Sequence, residues 1–387
     1  MNTKMDIAVS TLPHLESLLS AELRTLGFTD IREGKRIVHG TGTTRLLYEA
    51  NLKLRTALRV YVPLQQFNIR HSDELYKRAM QIDWSEYLSV DQTFAIEPNV
   101  HSIMFKHPHF ASLRLKDAIA DFFKAKHGHR PDVNPENPDV LFHLHIDEHR
   151  VTISLDSSGE SLNRRGYRQR GAQAPINEVL AAAMIILSGW KGEEDFYDPM
   201  CGSGTLAIEA AMIAAGIPSQ INRKEFGFIN WKNFDSALWE DVVQEAMTKI
   251  HTPAFRVYAS DADTRQLEAA RINILQAGLS DYIDLKLADL FEITPRSEKG
   301  VIVMNPPYGE RMQEQDDIAL LYSRIGTHLK HNWGGHTAWI ISSNMDALKS
   351  VGLKPGRKVE LMNGPLVCSF RRFDLFAGKR VDHVKSS

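Results

Sequence analysis

Cysteine is nearly missing from this 387-residue chain, with Cys201 and Cys368 its only two thiols. That excludes a disulfide scaffold or a cysteine-rich zinc site and fits a reducing cytoplasm. No apolar run approaches the roughly 20 residues needed to cross a bilayer. The opening MNTKMDIAVSTLPHLESLL lacks a basic segment followed by an apolar stretch and a cleavage site, so no secretory leader is expected. A cytoplasmic location is the expectation. Charge of one sign is lacking too: the formal net charge is −2. Up to Gly171 there are 23 Lys and Arg against 21 Asp and Glu, and after it 23 against 27. Any nucleic-acid contact must therefore come from local patches. No internal repeat or low-complexity segment is visible.

What is present is ordinary for a folded protein, at 43% hydrophobic and 24% charged residues, and the length favours two or three domains. The first sixty or so residues read as strand, helix, strand, strand, helix, strand, a small α+β unit. From Asn68 to Ser158 a second unit follows. DELYKRAMQIDWSEYL looks helical, QTFAIEPNV extended, HFASLRLKDAIADFFKAKHG an amphipathic helix. The loop PDVNPENPD then leads into two alternating strands within DVLFHLHIDEHRVTISLDSSG. The polar stretch LNRRGYRQRG at 162–171 breaks the pattern and marks a boundary. Beyond it, strands and helices alternate as in a doubly wound sheet. The end, KVELMNGPLVCSFRRFDLF, reads as two antiparallel strands around an Asn-Gly turn at 363–364.

Three strand ends carry chemistry. DPMCGSGT at 198–205 sits where a strand stops and a helix starts. Glycines there admit a ligand close to the backbone, and the helix N-terminus offers amide groups. Without Gly-Lys-Ser/Thr it is not a phosphate loop, and without a third glycine it is not the dinucleotide fingerprint; alone it is also explained as a tight turn. The next strand, RVYASDAD, ends in Asp261, placed to take ribose hydroxyls, while Asp263 reads as a helix N-cap. A third strand puts Asp289 at the same edge. Together they describe a nucleoside-shaped cleft.

NPPYGER at 305–311 follows the apolar strand VIVM. A plain turn explains Asn and tandem Pro, yet the chemistry points further. An exocyclic amine on adenine or guanine is a poor nucleophile because its lone pair is delocalised into the ring. The Asn305 side chain and the Pro306 carbonyl, accepting its two N–H groups, would draw the nitrogen toward tetrahedral geometry and aim the lone pair. Tyr308 can stack on an extruded base. A sulfonium methyl donor then needs no strong base beforehand.

These motifs resemble the class I methyltransferases that act on amino groups, which carry Asp-Pro-x-x-Gly-x-Gly-Thr and Asn-Pro-Pro-Tyr loops. With LNRRGYR and the preceding half, the whole chain resembles the bacterial 23S rRNA guanine-N2-methyltransferases with a THUMP domain, a family also named N6-adenine-specific DNA methylases. The resemblance implies an α/β fold: a class I (Rossmann-like) methyltransferase domain with an antiparallel terminal hairpin, preceded by α+β ferredoxin-like and THUMP domains. It implies S-adenosylmethionine as cofactor, lined by Asp198, Cys201, Gly202, Gly204, Thr205, Asp261, Ala262, Asp289, Leu290 and Asn305. Asn305, Pro306, Pro307 and Tyr308 would hold the target base. The expected divisions are 1–67 ferredoxin-like, 68–158 THUMP, 159–171 a basic linker and 172–387 catalytic.

Arg164, Arg165, Arg168 and Arg170 could grip an RNA backbone, or form a solvated linker. Lys106, Arg114 and Lys116 near Phe105 and Phe110 allow the same two readings. Eight of the sixteen histidines lie between His101 and His149; His143 and His145 share a strand face, but no cysteine or clustered carboxylate accompanies them, so no metal is expected. The expected partner is ribosomal RNA or an assembling subunit, and the expected reaction makes N2-methylguanine. N6-adenine methylation of DNA or RNA stays open, as does an RNA-binding assembly factor with a vestigial cofactor site.

Overall fold

In the computed structural model the described residues are 4–105, 107–168, 176–309 and 315–376. They fall into two compact units, each built on a seven-stranded sheet.

The first unit comprises Met1–Thr11, Leu19–Leu162 and Arg223–Gln244. Its early elements follow the expected order: β1 (Met5–Thr11), α1 (Glu16–Leu26), β2 (Thr29–Gly34), β3 (Ile37–Gly42), α2 (Thr44–Lys53) and β4 (Ala57–Asn68). Then come α3 (Ser72–Ala79), β5 (Phe94–His101), α4 (Pro108–His127), β6 (Val140–Asp147) and β7 (Arg150–Asp156). The sheet order is β2-β3-β1-β4-β7-β6-β5. The twelve-residue β4 pairs with β1 through its first half and with β7 from Tyr61 to Asn68, so one sheet is continuous across Asn68. Alternation along β6 buries Phe142, Leu144 and Ile146 against α4, in a core that includes Trp84, Phe94 and Phe123. The helix expected over 73–88 is shorter. It stops at Ala79, and a 3-10 turn at Trp84–Glu86 follows, started by Asp83 accepting from Ser85 N and anchored by Trp84 Nε1 donating to Ala79 O at 2.8 Å.

The aromatics of Arg223–Gln244 build part of this unit. Phe228 stacks on Tyr48 of α2 with ring centroids 4.5 Å apart, and Trp239 meets the same ring edge-on.

The second unit holds α5 (Glu178–Ser188), β8 (Asp195–Asp198), α6 (Thr205–Ala214), β9 (Val257–Asp261), α8 (Thr264–Gln276) and β10 (Ile283–Leu287); α7 (Ser236–Met247) precedes β9 in the chain. It continues with β11 (Gly300–Met304), α9 (Gln315–Asn332), β12 (Thr337–Ser342), α10 (Met345–Ser350), β13 (Arg357–Asn363) and β14 (Leu366–Asp374). Strand order is β10-β9-β8-β11-β12-β14-β13. The first five are parallel, and β14 runs antiparallel to both neighbours. This is the α/β fold with a terminal antiparallel hairpin that the sequence implied.

One detail differs: the hairpin turn is Gly364–Pro365, since Asn363 pairs with Leu366. Gly364 has φ +61° and proline fixes a negative φ after it, the combination of a II′ turn that matches strand twist. Asn363 is thereby the last strand residue, and its side chain is free of turn duty. No helix among the described residues is long and apolar enough to cross a membrane.

Candidate active site

In an open α/β sheet, ligands collect at the carboxyl ends of the strands where chain order reverses. Here β8 leads outward to β9 and β10, while β11 returns on its other side. Asp198 ends β8, Asp261 ends β9, and Asn305 follows β11 directly. Topology thus brings Asp198, Asp261 and Asn305 to one edge.

The glycine-rich loop is tied to the neighbouring strand. Cys201 N donates to Ser260 O at 2.9 Å and Gly202 N to Asp261 Oδ2 at 2.8 Å. The other Asp261 oxygen accepts from Asp263 N at 2.9 Å. Asp261 is therefore fixed in orientation, and each oxygen retains a lone pair for a hydroxyl. Gly204 caps α6 at φ +83°, and a Cβ there would sit 3.2 Å from Ala270 Cβ. Sequence reasoning missed Asn273, which projects from α8 to donate to the buried Ser203 carbonyl at 3.0 Å.

Asp198 is the electrostatic centre. It is fully buried and has no side-chain partner, and only the backbone amides of Met200 and Ala207 stand near its carboxylate. Burial, then repulsion from Asp261, pushes its pKa well up. An unpaired buried carboxylate is costly unless a cation meets it, and this donor set suits a positively charged ligand. Cys201 is also buried, and its thiol is pushed up by the same burial and the same two carboxylates. Thr205 is buried, Ala262 and Asp289 exposed. Asp289 caps the short turn Leu290–Glu292 by accepting from Phe291 N, and Leu290 packs into the core beside β11.

The Asn-Pro-Pro-Tyr loop is held by three neighbours to which the sequence assigns no part in the site. The Tyr322 hydroxyl of α9 donates to Pro307 O at 3.3 Å and lies 2.9 Å from Ser342 Oγ. Asn344, which N-caps α10, donates to Tyr308 O at 3.3 Å. Asn363 donates to the Tyr308 hydroxyl at 3.2 Å. That hydroxyl donates in turn to Asn305 Oδ1, the oxygen expected to receive the target amine. Burial raises the Tyr308 pKa, so the phenol keeps its proton. Pro306 is buried, Pro307 exposed, and Asn305 and Tyr308 are half-buried. Glu310 and Arg311 lie outside the described residues.

The expected arginine grip meets a different arrangement. Arg165 is 1% exposed, with its Nε 3.1 Å from the wholly buried Glu209. Arg168 bonds Thr205 Oγ1 and the carbonyl of Ile176, and pairs with the buried Glu178. Arg165, sealed in the interior, is not offered to a phosphate. Arg164 also has partners within the protein, and Arg170 and Lys106 lie outside the described residues. Arg114 and Lys116 pair with Asp73 and Asp117. His143 stacks on Tyr61 with centroids 4.4 Å apart, and among the described residues no three His, Cys, Asp or Glu side chains cluster as metal ligands. A separate cavity of about 300 Å³, lined by Tyr197, Tyr258, Lys286, Arg296 and Trp333, includes none of the expected cofactor residues.

Comparison with known proteins decides the family. Residues 165–372, more than half of the chain, match the model described as RMKL-like, methyltransferase domain. The chain belongs to this family. Residues 70–156 match the THUMP domain and 6–61 the RlmL ferredoxin-like domain, so the methyltransferase domain is preceded by the two domains that the resemblance implied. A relative named ribosomal RNA large subunit methyltransferase K/L, from Desulfotalea psychrophila, is 36% identical over 365 residues, covering 92% of this chain and 50% of that protein. One of the same name from Allochromatium vinosum is 37% identical over 382 residues, covering 96% and 52%. The chain spans about half the length of these curated relatives. Among solved structures, a candidate methyltransferase complexed with SAH superimposes with a TM-score of 0.89 at 29% identity, covering 98% of this chain and all of that one. A predicted N6-adenine-specific DNA methylase from Listeria monocytogenes gives 0.87 at 28%, covering 96% and 97%.

Proposed function

We propose that this RMKL-like methyltransferase moves the methyl group of S-adenosylmethionine to the exocyclic N2 of a guanine in large-subunit ribosomal RNA. The observation that carries the reading is Asn305 at the end of β11, one strand from the buried Asp198 at the end of β8, which meets no cationic side chain among the described residues. The names of the curated relatives support ribosomal RNA as substrate, and the related structure complexed with SAH supports the cofactor. A cytoplasmic site of action follows from a ribosomal substrate.

When bound, the cofactor supplies an electrophilic methyl on a sulfonium. Asp198 balances its positive charge inside the protein, Asp261 receives the ribose hydroxyls, and the 201–204 loop follows its backbone. Ala262 and Asp289 border the adenine, and Leu290 supports that edge from beneath. Asn305 Oδ1 and the Pro306 carbonyl accept the two amine N–H groups, which localises the nitrogen lone pair toward the methyl. Tyr308 covers the base and Pro307 shapes the turn.

Nucleoside mass spectrometry of ribosomal RNA from a deletion strain tests this. Loss of N2-methylguanosine supports guanine. Loss of N6-methyladenosine instead would select the second reading, adenine methylation, which the name of the Listeria relative favours. No change in either, with no S-adenosylmethionine binding, would leave an assembly factor with a vestigial site.

A further inference from the structure

Two arginines of LNRRGYR, Arg165 and Arg168, meet the helix that follows the glycine-rich loop. α6 begins at Thr205, directly after Gly204. Thr205 and Glu209 are one turn apart and share a face. Both are buried, and both are gripped from the same short segment, 165–168. Arg165 pairs with Glu209 at 3.1 Å, and the Tyr167 hydroxyl lies 3.4 Å from the same carboxylate oxygen. Arg168 Nη2 donates to Thr205 Oγ1 at 2.8 Å and to Ile176 O at 3.1 Å, while Nη1 lies 3.2 Å from Glu178 Oε1 at the start of α5. Between the two arginines, Gly166 has φ +92°, and a Cβ there would stand 3.2 Å from Asn222 O. A side chain at 166 would be strained at this φ and would crowd Asn222.

We infer that Arg168 is a positioning residue for the methyl donor: by bridging Glu178 and Thr205 it fixes the first turn of α6, and with it the Cys201–Gly204 loop against the cofactor. The inference rests on the cofactor reading above. A guanidinium suits the task because its planar fork reaches an anion and a hydroxyl in fixed directions, whereas an ammonium is a single point charge. The buried Glu178 explains why a cation stands here, since it would otherwise be an unpaired charge in the interior. What Glu178 does not explain is the second bond, to the loop-end hydroxyl.

The test is calorimetric titration of the whole protein with S-adenosylmethionine, alongside steady-state kinetics on ribosomal RNA. Arg168→Lys retains a charge for Glu178 but not the fork. It should raise both Kd and KM for S-adenosylmethionine about tenfold, with kcat and the KM for RNA within about twofold and Tm little changed. Thr205→Val removes the acceptor, while Thr205→Ser keeps it and should preserve donor affinity within about twofold of wild type. In the cycle of Arg168→Lys with Thr205→Val, the double variant should bind the donor no worse than the weaker single one. Unchanged donor affinity in Arg168→Lys, or fully additive losses, would overturn the inference. So would weaker RNA binding with a shallower salt dependence and intact donor binding, the mark of a phosphate contact. If the wild-type protein bound no S-adenosylmethionine, the cofactor reading itself would fall, and this inference with it.

Discussion

The Tyr308 hydroxyl donates to Oδ1 of Asn305 and accepts from Asn363 at 3.2 Å. On the proposed reading, the acceptor for the target amine is therefore engaged before any base arrives, through a chain of bonds running from the terminal hairpin. Removing the phenol while keeping the ring separates its two roles. Tyr308→Phe should lower the KM for RNA about two- to tenfold, the worth of one ordinary hydrogen bond. Tyr308→Ala loses the stacking surface and should cut kcat/KM for RNA about 10- to 100-fold. A phenylalanine variant as impaired as the alanine one would mean that the hydroxyl assists the base instead.

Asn305→Ala removes the acceptor itself. Methyl transfer should become undetectable while the Kd for S-adenosylmethionine stays within about tenfold, because the partner proposed for Asn305 is the amine. Full activity in this variant would end the assigned mechanism.

Asp198 sets function against stability. Its folded pKa is raised by burial and by Asp261, so the folded protein holds the proton more tightly than the unfolded chain. Stability is then unaffected in acid, below the ordinary aspartate value of about 4, and declines as pH rises above it. Asp198→Asn should therefore have a higher Tm than wild type at neutral pH, a difference that shrinks toward pH 4. It should also bind the cationic donor about tenfold less tightly or worse. Equal Tm values across that range, or undiminished donor affinity, would contradict the charge-balancing role.

His143 behaves in the opposite sense. Burial, reinforced by His145 and Arg59, lowers its pKa to about 4, so it is neutral and stacked on Tyr61 at pH 7. As pH falls from about 6.5 toward 4 the unfolded chain takes up the proton first, and the first unit loses stability across that window. His143→Phe keeps an aromatic ring at the stack and should flatten the decline in Tm. Parallel Tm curves for the two proteins would refute this.

The strand-ending motifs were legible because their chemistry is local. DPMCGSGT and VIVMNPPY each contain both the apolar run that makes a buried strand and the residues that break it, so site and scaffold are written in the same dozen residues. The alternation of strands and helices gave the sheet in the same way, and the full family resemblance supplied the order of domains. Asn-Gly is a strong short-range turn signal, yet the last hairpin turns one residue later, at Gly364–Pro365. Proline at 365 outweighs it by fixing the backbone at the second turn position.

What the sequence determined by itself, then, was the set of groups at the carboxyl edge of the second sheet: Asp198, Asp261 and Asn305. Tertiary structure alone decided what holds them. Asn273, Asn344 and Asn363 reach the loops from elements far along the chain, and no spacing rule links an asparagine to a carbonyl 70 residues away. It also decided the fate of Arg165 and Arg168. A run of arginines looks the same in sequence whether it faces a phosphate or a buried glutamate. Only the packing of α5 and α6, which places Glu178 and Glu209 beneath the segment, shows that these charges are spent inside the protein.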